Sequence, residues 1–434
     1  MKTLLPFLLL FLFANCNSKN NPDSEKEDNG QPLCIDLAGN INNTVASLPL
    51  SEAAEKVDIV RLETSDKSLI RSVEDIQVTD HDIFIFDVNE GIFRFSRDGK
   101  FLNKISKKGE GPEEYIHIHQ IIVDESKKEV YVWSRNKINI FGYDGSFKRL
   151  AISKLQEEMF YGSEAKIWLF KQFFFLNDKL PIMYMRDKIW TFALADSSFT
   201  PQREYYNPEF KGREEAIKAN CGLSYGWKNC WSEYFPAIDF YNQQFKMKYY
   251  GVDTVYQFNE QTLDFDPIYT IALGEQPSFE MEHLWIKDPT YFNYLRNQQL
   301  YDTKDYTYFL CGKSEQSYTF RFNKTNKEIV TVENDCPIKA TPFPGSPNFV
   351  HRIQLLKFQL QNDLSGGGDF SVDYKSQGKY WIDECTPSDL LEQIDVDGLK
   401  TGKVKDEAAR DKLVQVLSTI AEDDNPVLFI ATLK

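Results

Sequence analysis

From about residue 57 the chain sets apolar and polar positions in short alternating runs, each closed by a polar turn. A period of two puts every second side chain on one face of a strand, so the pattern predicts half-buried β-structure. Ile83-Phe84-Ile85-Phe86-Asp87 and Ile92-Phe93-Arg94-Phe95 are rich in branched and aromatic residues, which fit a pleated surface. Arg97-Asp98-Gly99-Lys100 follows, and an Asp-Gly step between such runs predicts a hairpin. The same phrase then returns. Val130–Ser134 matches Ile83–Asp87, Ile138–Phe141 matches Ile92–Phe95, and Asp144-Gly145 stands 46 positions after Asp98-Gly99.

A period of 46 lies in the ~40–50-residue range of four-stranded propeller blades. Fainter echoes follow at Pro181–Tyr184 with Ile189–Phe192, at Asp253–Phe258 with Ile268–Leu273, and at Tyr318–Phe322 with Ile329–Val332. Two stretches break the rhythm. Residues 205–250 hold thirteen aromatics, and 279–301, with Met281, Leu284, Trp285, Tyr291, Tyr294, Leu295 and Leu300, predicts short helices in an insertion. Near the end, Asp406–Ala421 puts Leu413, Val416, Leu417 and Ile420 on one helical face. A last β run, Val427–Leu433, is what a closed ring needs to leave no open edge.

The N-terminus has a different pattern. Lys2 precedes ten apolar residues, Leu4–Phe13, which are too few to span a ~30 Å hydrocarbon layer as a helix. The run predicts a cleaved leader. It ends at Cys16 and resembles a bacterial lipoprotein signal, which implies that Cys16 is the lipidated first residue of the mature chain; an ordinary secretory signal cut nearby is the alternative. The stretch after Cys16, NSKNNPDSEKEDNGQP, lacks any aliphatic or aromatic residue and fits a flexible tether. The expected layout is a signal at 1–16, a tether with a lead-in strand at 17–50, and one propeller over 51–434 with an aromatic-rich insertion at about 205–250.

Composition narrows the function classes. The chain has 434 residues, with 65 acidic against 50 basic and a net charge of −15. With no basic cluster, nucleic acid is not expected as a partner. Aromatics make up 14%, enough for a large core. Five His are few for a metalloenzyme. His117 and His119 would share one strand face, but no nearby Cys or Glu-x-x-His supports a metal site, and none is expected. Asp395-Val396-Asp397-Gly398 fails as a calcium loop, because Gln393 and Val404 occupy the first and twelfth positions. Gly109-Glu110-Gly111-Pro112 fails as a phosphate loop: Pro112 removes a donor and Glu113-Glu114 repels anions. It reads as a turn between blades. No Gly-x-Ser-x-Gly elbow is present, and no cofactor is expected.

Apart from Cys16 there are six cysteines, of which Cys221 and Cys230 are close enough in sequence to pair; six buried thiols are the alternative. Tyr225, Trp227, Trp231, Tyr234 and Phe235 crowd around that pair. Flat rings on a rigid loop suit stacking on a sugar or on a partner protein, and they equally suit packing against the blades.

Several phrases together resemble the six-bladed β-propeller lipoproteins of Bacteroidota, related in architecture to NHL-type and TolB-type propellers. They are Arg61-Leu62-Glu63-Thr64, the Asp87 strand end, Phe95–Phe101, Gly109-Glu110-Gly111-Pro112-Glu113-Glu114-Tyr115 and Asp424–Leu428. The resemblance implies an all-β ring of six four-stranded antiparallel blades with small helical insertions, exported, lipid-anchored in the outer membrane and facing the periplasm or the surface. It implies no settled activity. The expected role is binding of a glycan, a peptide or an envelope partner by a monomer. A polysaccharide lyase or hydrolase working in the funnel, and a scaffold without a small-molecule site, are the alternatives.

Overall fold

The computed structural model describes residues 32–434 apart from 106–107, 110, 112, 116–117, 135–136, 152–169, 177–179, 186–189, 198, 200, 217–235, 284–288 and 344–345. It is an all-β propeller built of antiparallel meanders. Sheet I comprises Val73–Val78, Asp82–Asp87, Gly91–Ser96 and Phe101–Lys104; sheet II comprises Ile118–Asp124, Glu129–Ser134, Lys137–Gly142 and Phe147–Ala151. Sheet III holds Phe170–Leu176, Leu180–Met185, Trp190–Ala195 and Pro201–Tyr206. Sheet V holds Arg296–Asp302, Tyr306–Lys313, Gln316–Asn323 and Ile329–Asp335. Sheet VI orders Tyr374–Ser376, Tyr380–Cys385, Val427–Leu433 and Ala54–Arg61.

These five are four-stranded antiparallel blades, one fewer than the six expected. Sheet IV differs in having five strands. Ala237–Tyr241, Gln244–Lys248, Thr254–Asn259 and Asp264–Ala272 form the same meander, and Leu33–Asp36 adds a parallel strand outside it.

Each sheet is sandwiched between two others, and that decides which residues are apolar. In Asp82–Asp87, Ile83 and Ile85 pack with Tyr380, Ile382, Leu428 and Ile430 of sheet VI. Phe84 and Phe86 point the other way, to Ile121, Val130, Val132 and Phe141 of sheet II. The strand is therefore buried at all six positions, as is Glu129–Ser134, rather than half-buried as the alternation predicted. Tyr131 and Trp133 meet Ala193 and Ala195 of sheet III, and Phe192 and Leu194 meet Phe245 and Met247 of sheet IV. Val255 and Ile271 meet Phe309 and Phe320 of sheet V, while Tyr308 and Leu310 meet Trp381 and Phe429 of sheet VI. The packing thus runs through the sheets in order and returns to its start.

Closure is made by strand exchange between the chain's two ends. Val427–Leu433, buried throughout, pairs antiparallel with Ala54–Arg61 on one side and Tyr380–Cys385 on the other. The adjoining turn locks the joint. Arg61 pairs with Asp424 at 2.7 Å. Asn425, fully buried, accepts from the Ile70 amide at 2.8 Å and donates to the carbonyls of Glu63 at 2.8 Å and Ser68 at 2.7 Å. The Glu63 amide in turn donates to the Gly99 carbonyl at 2.8 Å. Asp87 accepts from the amides of Arg71, Ser72, Asn89 and Glu90, which hold its carboxyl below the usual range. The phrases that carried the family resemblance at the two ends of the chain are therefore parts of one joint and its neighbouring turns.

Of the helical expectations, Phe279–His283 is a short helix and Pro289–Asn293 a 3₁₀ turn, but a strand begins at Arg296, so Leu300 is a core strand residue. The late helix runs Glu407–Leu417, capped by Asp406, whose carboxylate accepts from the Ala409 amide at 3.0 Å. Leu413, Val416, Leu417 and Ile420 bury together over the junction of sheets V and VI, as their spacing predicted. Two further helices, Pro387–Gln393 and Val396–Thr401, precede it.

Candidate functional site

The first strand of every sheet borders a common central cavity of about 1220 Å³, with sheet III contributing Phe175. Side chains on these strands also tie neighbouring sheets together at the cavity wall. Asp239 in sheet IV accepts from the Asp302 amide of sheet V at 2.8 Å. Ser376 in sheet VI accepts from the Val78 amide and donates to the Val78 carbonyl of sheet I, both at 2.8 Å. Asp75 in sheet I accepts from Gln77 at 3.1 Å and from the Ile121 amide of sheet II, while burial pushes its carboxyl up to about 6.

Charge is concentrated where sheets IV, V and VI meet. Asp302 is buried and takes Lys246 at 2.6 Å, Lys324 at 2.9 Å and the Thr307 hydroxyl at 2.7 Å. Asp239 pairs with Lys375 at 2.7 Å; burial raises its carboxyl and the Lys375 ammonium opposes that shift. On the part of the wall formed by sheets IV and V, Lys248 is 4% exposed and its ammonium hydrogen-bonds only the carbonyls of Val252 at 3.0 Å and Tyr249 at 3.4 Å. Burial lowers its pKa. Arg296 lies over the rings of Tyr291 and Phe292 at 4.7 and 4.6 Å and donates to Gln354 at 2.9 Å. Glu282, raised by burial, accepts from Tyr291 at 3.3 Å. Of these residues Lys248, Glu282, Tyr291, Phe292, Arg296, Gln354 and Lys375 line the cavity.

A preformed cavity lined by charged, amide and aromatic groups is the default geometry of a binding site. A protein ring of this kind is rigid, so its wall groups are held in place before a ligand arrives.

The residues singled out in the sequence fall unevenly on this picture. Tyr225, Trp227, Trp231, Tyr234, Cys221 and Cys230 lie outside the described residues, as do Cys16 and His117. His119 lines the cavity, its ring edge-on to Trp133 at 6.0 Å. No group of three or more His, Cys, Asp or Glu able to hold a metal occurs among the described residues. Cys311, Cys336 and Cys385 stand as thiols, and burial raises all three. In the loop after sheet I, the Glu114 carboxylate accepts from the Gly111 amide at 3.0 Å, which fills the place a phosphate oxygen would take. Asp395 caps a helix by accepting from the Asp397 amide at 3.1 Å. Lys248, Arg296 and Glu282 were missed; the one signal was Lys246-Met247-Lys248, where two lysines share a strand face in an otherwise apolar setting.

Among the described residues no helix is long and apolar enough to cross a membrane. No curated protein matches the chain in sequence. Among solved structures it is similar to a candidate exported protein of Bacteroides fragilis, at 17% identity and a TM-score of 0.58, over 93% of this chain and 100% of that one. It is also similar to the extracellular domain of a candidate one-component system from B. thetaiotaomicron (12% identity, TM-score 0.34, 74% of this chain and 34% of that one). The family model described as Domain of unknown function (DUF4934) matches residues 32–432. The propeller with its central cavity therefore belongs to the DUF4934 family.

Proposed function

We propose that this chain is an exported binding protein, held to the outer membrane by a lipid on Cys16, that takes a glycan or peptide into the central cavity of a six-unit ring. The observation that carries this reading is the cavity itself, at about 1220 Å³ with desolvated charges and aromatic rings on its wall. A scaffold with no ligand has no use for buried cations facing an open space, since each costs free energy to desolvate. The count of six rests on sheet IV, whose antiparallel meander repeats that of the five plain blades. Export is supported by the leader pattern before Cys16 and by the description of the B. fragilis protein as exported. In this layout residues 1–16 are the signal, 17–50 the tether and lead-in strand, and 51–434 the ring, acting as a monomer.

Tyr225, Trp227, Trp231 and Tyr234 supply further ligand or partner contacts, steadied by a Cys221–Cys230 bridge. The test is a thermal-shift screen of glycans, peptides and metabolites on the purified full chain. A specific rise in melting temperature is expected, since a ligand that binds only the folded state stabilises it. No rise across the panel would overturn the reading. Product analysis on the samples that respond separates binding from a lyase or hydrolase reaction.

A further inference from the structure

The strand Gln244–Lys248 carries two buried lysines two positions apart, so both leave the same face. Their surroundings differ in one respect. Lys246 meets Asp302 at 2.6 Å inside the protein, whereas Lys248 has no carboxylate within ion-pair distance among the described residues and is met only by carbonyls. Lys248 is the one that lines the cavity. Arg296, on the first strand of the next sheet, repeats the situation. It lines the cavity, lies over two aromatic rings, donates to the neutral Gln354, and forms no ion pair among the described residues. The other two cations on the wall, Lys375 and Lys379, are each matched by a carboxylate, Asp239 and Asp80.

Lys248 and Arg296 sit together: both lie within electrostatic reach of Glu282 and of the Cys311 sulfur. Asp253 and Glu282 on the same wall act on Lys248, and Glu282 acts on Arg296, but no carboxylate is in ion-pair contact with either cation among the described residues. A buried cation without a contact partner is costly, and a carboxylate from outside can supply that contact. Arg in particular offers a planar fork suited to a carboxylate. The wall beside them is rich in amides. Asn297, Gln298 and Gln299 follow Arg296 directly, with Gln243 and Gln377 also on the cavity surface. The Asn297 side-chain oxygen is buried without a hydrogen-bond partner. Side-chain amides both donate and accept, which is what a row of sugar hydroxyls requires.

We propose that Lys248 and Arg296 form a carboxylate subsite, and that the cavity takes a uronate-containing oligosaccharide. The inference rests on the cavity being a binding site and adds the chemical class of its ligand. The glycan carboxylate sits between the two cations, and neighbouring hydroxyls bind the amides that follow Arg296.

The experiment is titration calorimetry of the purified full chain with hexasaccharides of galacturonate and of glucuronate, each beside its carboxyl-reduced neutral counterpart, and with an acidic hexapeptide. At least one uronate is expected to bind about ten- to a hundredfold more tightly than its neutral form, the range for a charge-assisted contact. Lys248→Met and Arg296→Gln should each remove most of that difference while leaving neutral-glycan affinity in place. Equal affinity for acidic and neutral forms overturns the subsite and leaves the cavity as a neutral-glycan site. Binding of the acidic peptide alone overturns the glycan class. No binding by any probe overturns the inference, and the broader panel of the thermal-shift screen then decides separately whether the cavity binds anything. The comparison of acidic and neutral glycans on the unaltered chain decides the matter even where a variant fails to fold.

Discussion

The backbone amide of Asp302 donates to the side chain of Asp239 at 2.8 Å, joining the innermost strands of two successive sheets. Ser376 does the same for sheets VI and I, and Asp75 for sheets I and II. The innermost strand of a blade has one edge without a sheet partner, and these side chains satisfy part of it from the next sheet. Asp239 also holds Lys375, so removing its carboxyl leaves an amide and an ammonium unmatched. Asp239→Ala should destabilise the fold by about 2–4 kcal/mol, and Asp239→Asn, which keeps an acceptor, by less. Urea unfolding midpoints of the two variants against the parent check the order.

Asp75 makes stability depend on pH in a definite direction. Its carboxyl titrates near 3.8 when unfolded and at about 6 in the folded chain. Between those values the folded state holds more protons, so the contribution is full below the lower one and is lost as pH rises through the upper. The loss is at most about 3 kcal/mol, reduced by solvent at this half-buried wall position. Asp75→Asn keeps an acceptor for the Ile121 amide and has no such titration. The parent should therefore lose melting temperature relative to Asp75→Asn between about pH 4 and pH 6; parallel curves across that window would count against the assignment.

Asn425 is the centre of the ring joint. Its amide group serves Ile70, Glu63 and Ser68 at once, in a fully buried position. Truncation to Ala strands the Ile70 amide and the Ser68 carbonyl away from water and leaves the Glu63 carbonyl with the Ser68 hydroxyl. The expected cost is about 2–4 kcal/mol by chemical denaturation, with a faster unfolding rate because the two chain ends meet there.

Two glycines with left-handed backbone separate conformation from crowding. Gly99 has φ of +88° and a Cβ there would stand 2.1 Å from the Arg61 carbonyl oxygen. Gly212 has φ of +78° with nothing within 4 Å. Gly212→Ala should cost about 1 kcal/mol from the backbone alone. Gly99→Ala carries the same strain plus a clash with a backbone oxygen in the closing strand, so its melting temperature should fall clearly further.

Much of the architecture was legible because each blade writes its middle strands in apolar residues. Ile83–Asp87 and Val130–Ser134 are second strands and Ile92–Phe95 and Ile138–Phe141 third strands of successive sheets, with Gly99 and Gly145 both at positive φ in the following turns. Pro181–Tyr184 keeps this phase on the second strand of sheet III, but the last two echoes do not. Asp253–Phe258 and Tyr318–Phe322 match third strands, followed by fourth ones, where the first repeat had second and third. Alternation marks a strand but not its place in the blade, so only packing resolves the phase. The pairing of Leu33–Asp36 was equally hidden, because a parallel partner 236 positions away, Leu33 opposite Tyr269, leaves no local signal.

The cavity was less legible than the blades. Its wall draws polar side chains from the first strands of sheets I, II, V and VI and apolar ones from those of sheets III and IV, and no short motif spans them. The densest local chemistry in the sequence is instead the aromatic stretch around Trp227 and Trp231, which lies outside the described residues. Lys248 could be read from the sequence only as an oddity, a second lysine on a buried strand face. Its significance comes from Lys246 being in contact with Asp302, while the carboxylates near Lys248, Asp253 and Glu282, make no ion-pair contact with it.

The central claim is that ligand enters the space enclosed by the sheets, and the most direct measurement is a blocked-cavity comparison. Gln298 lines the cavity and is half-buried, so Gln298→Trp fills space there without opening the core. With a ligand that raises the melting temperature of the parent chain, the account predicts that Gln298→Trp keeps the unliganded melting temperature and loses the ligand-induced rise. An undiminished rise in that variant would contradict it.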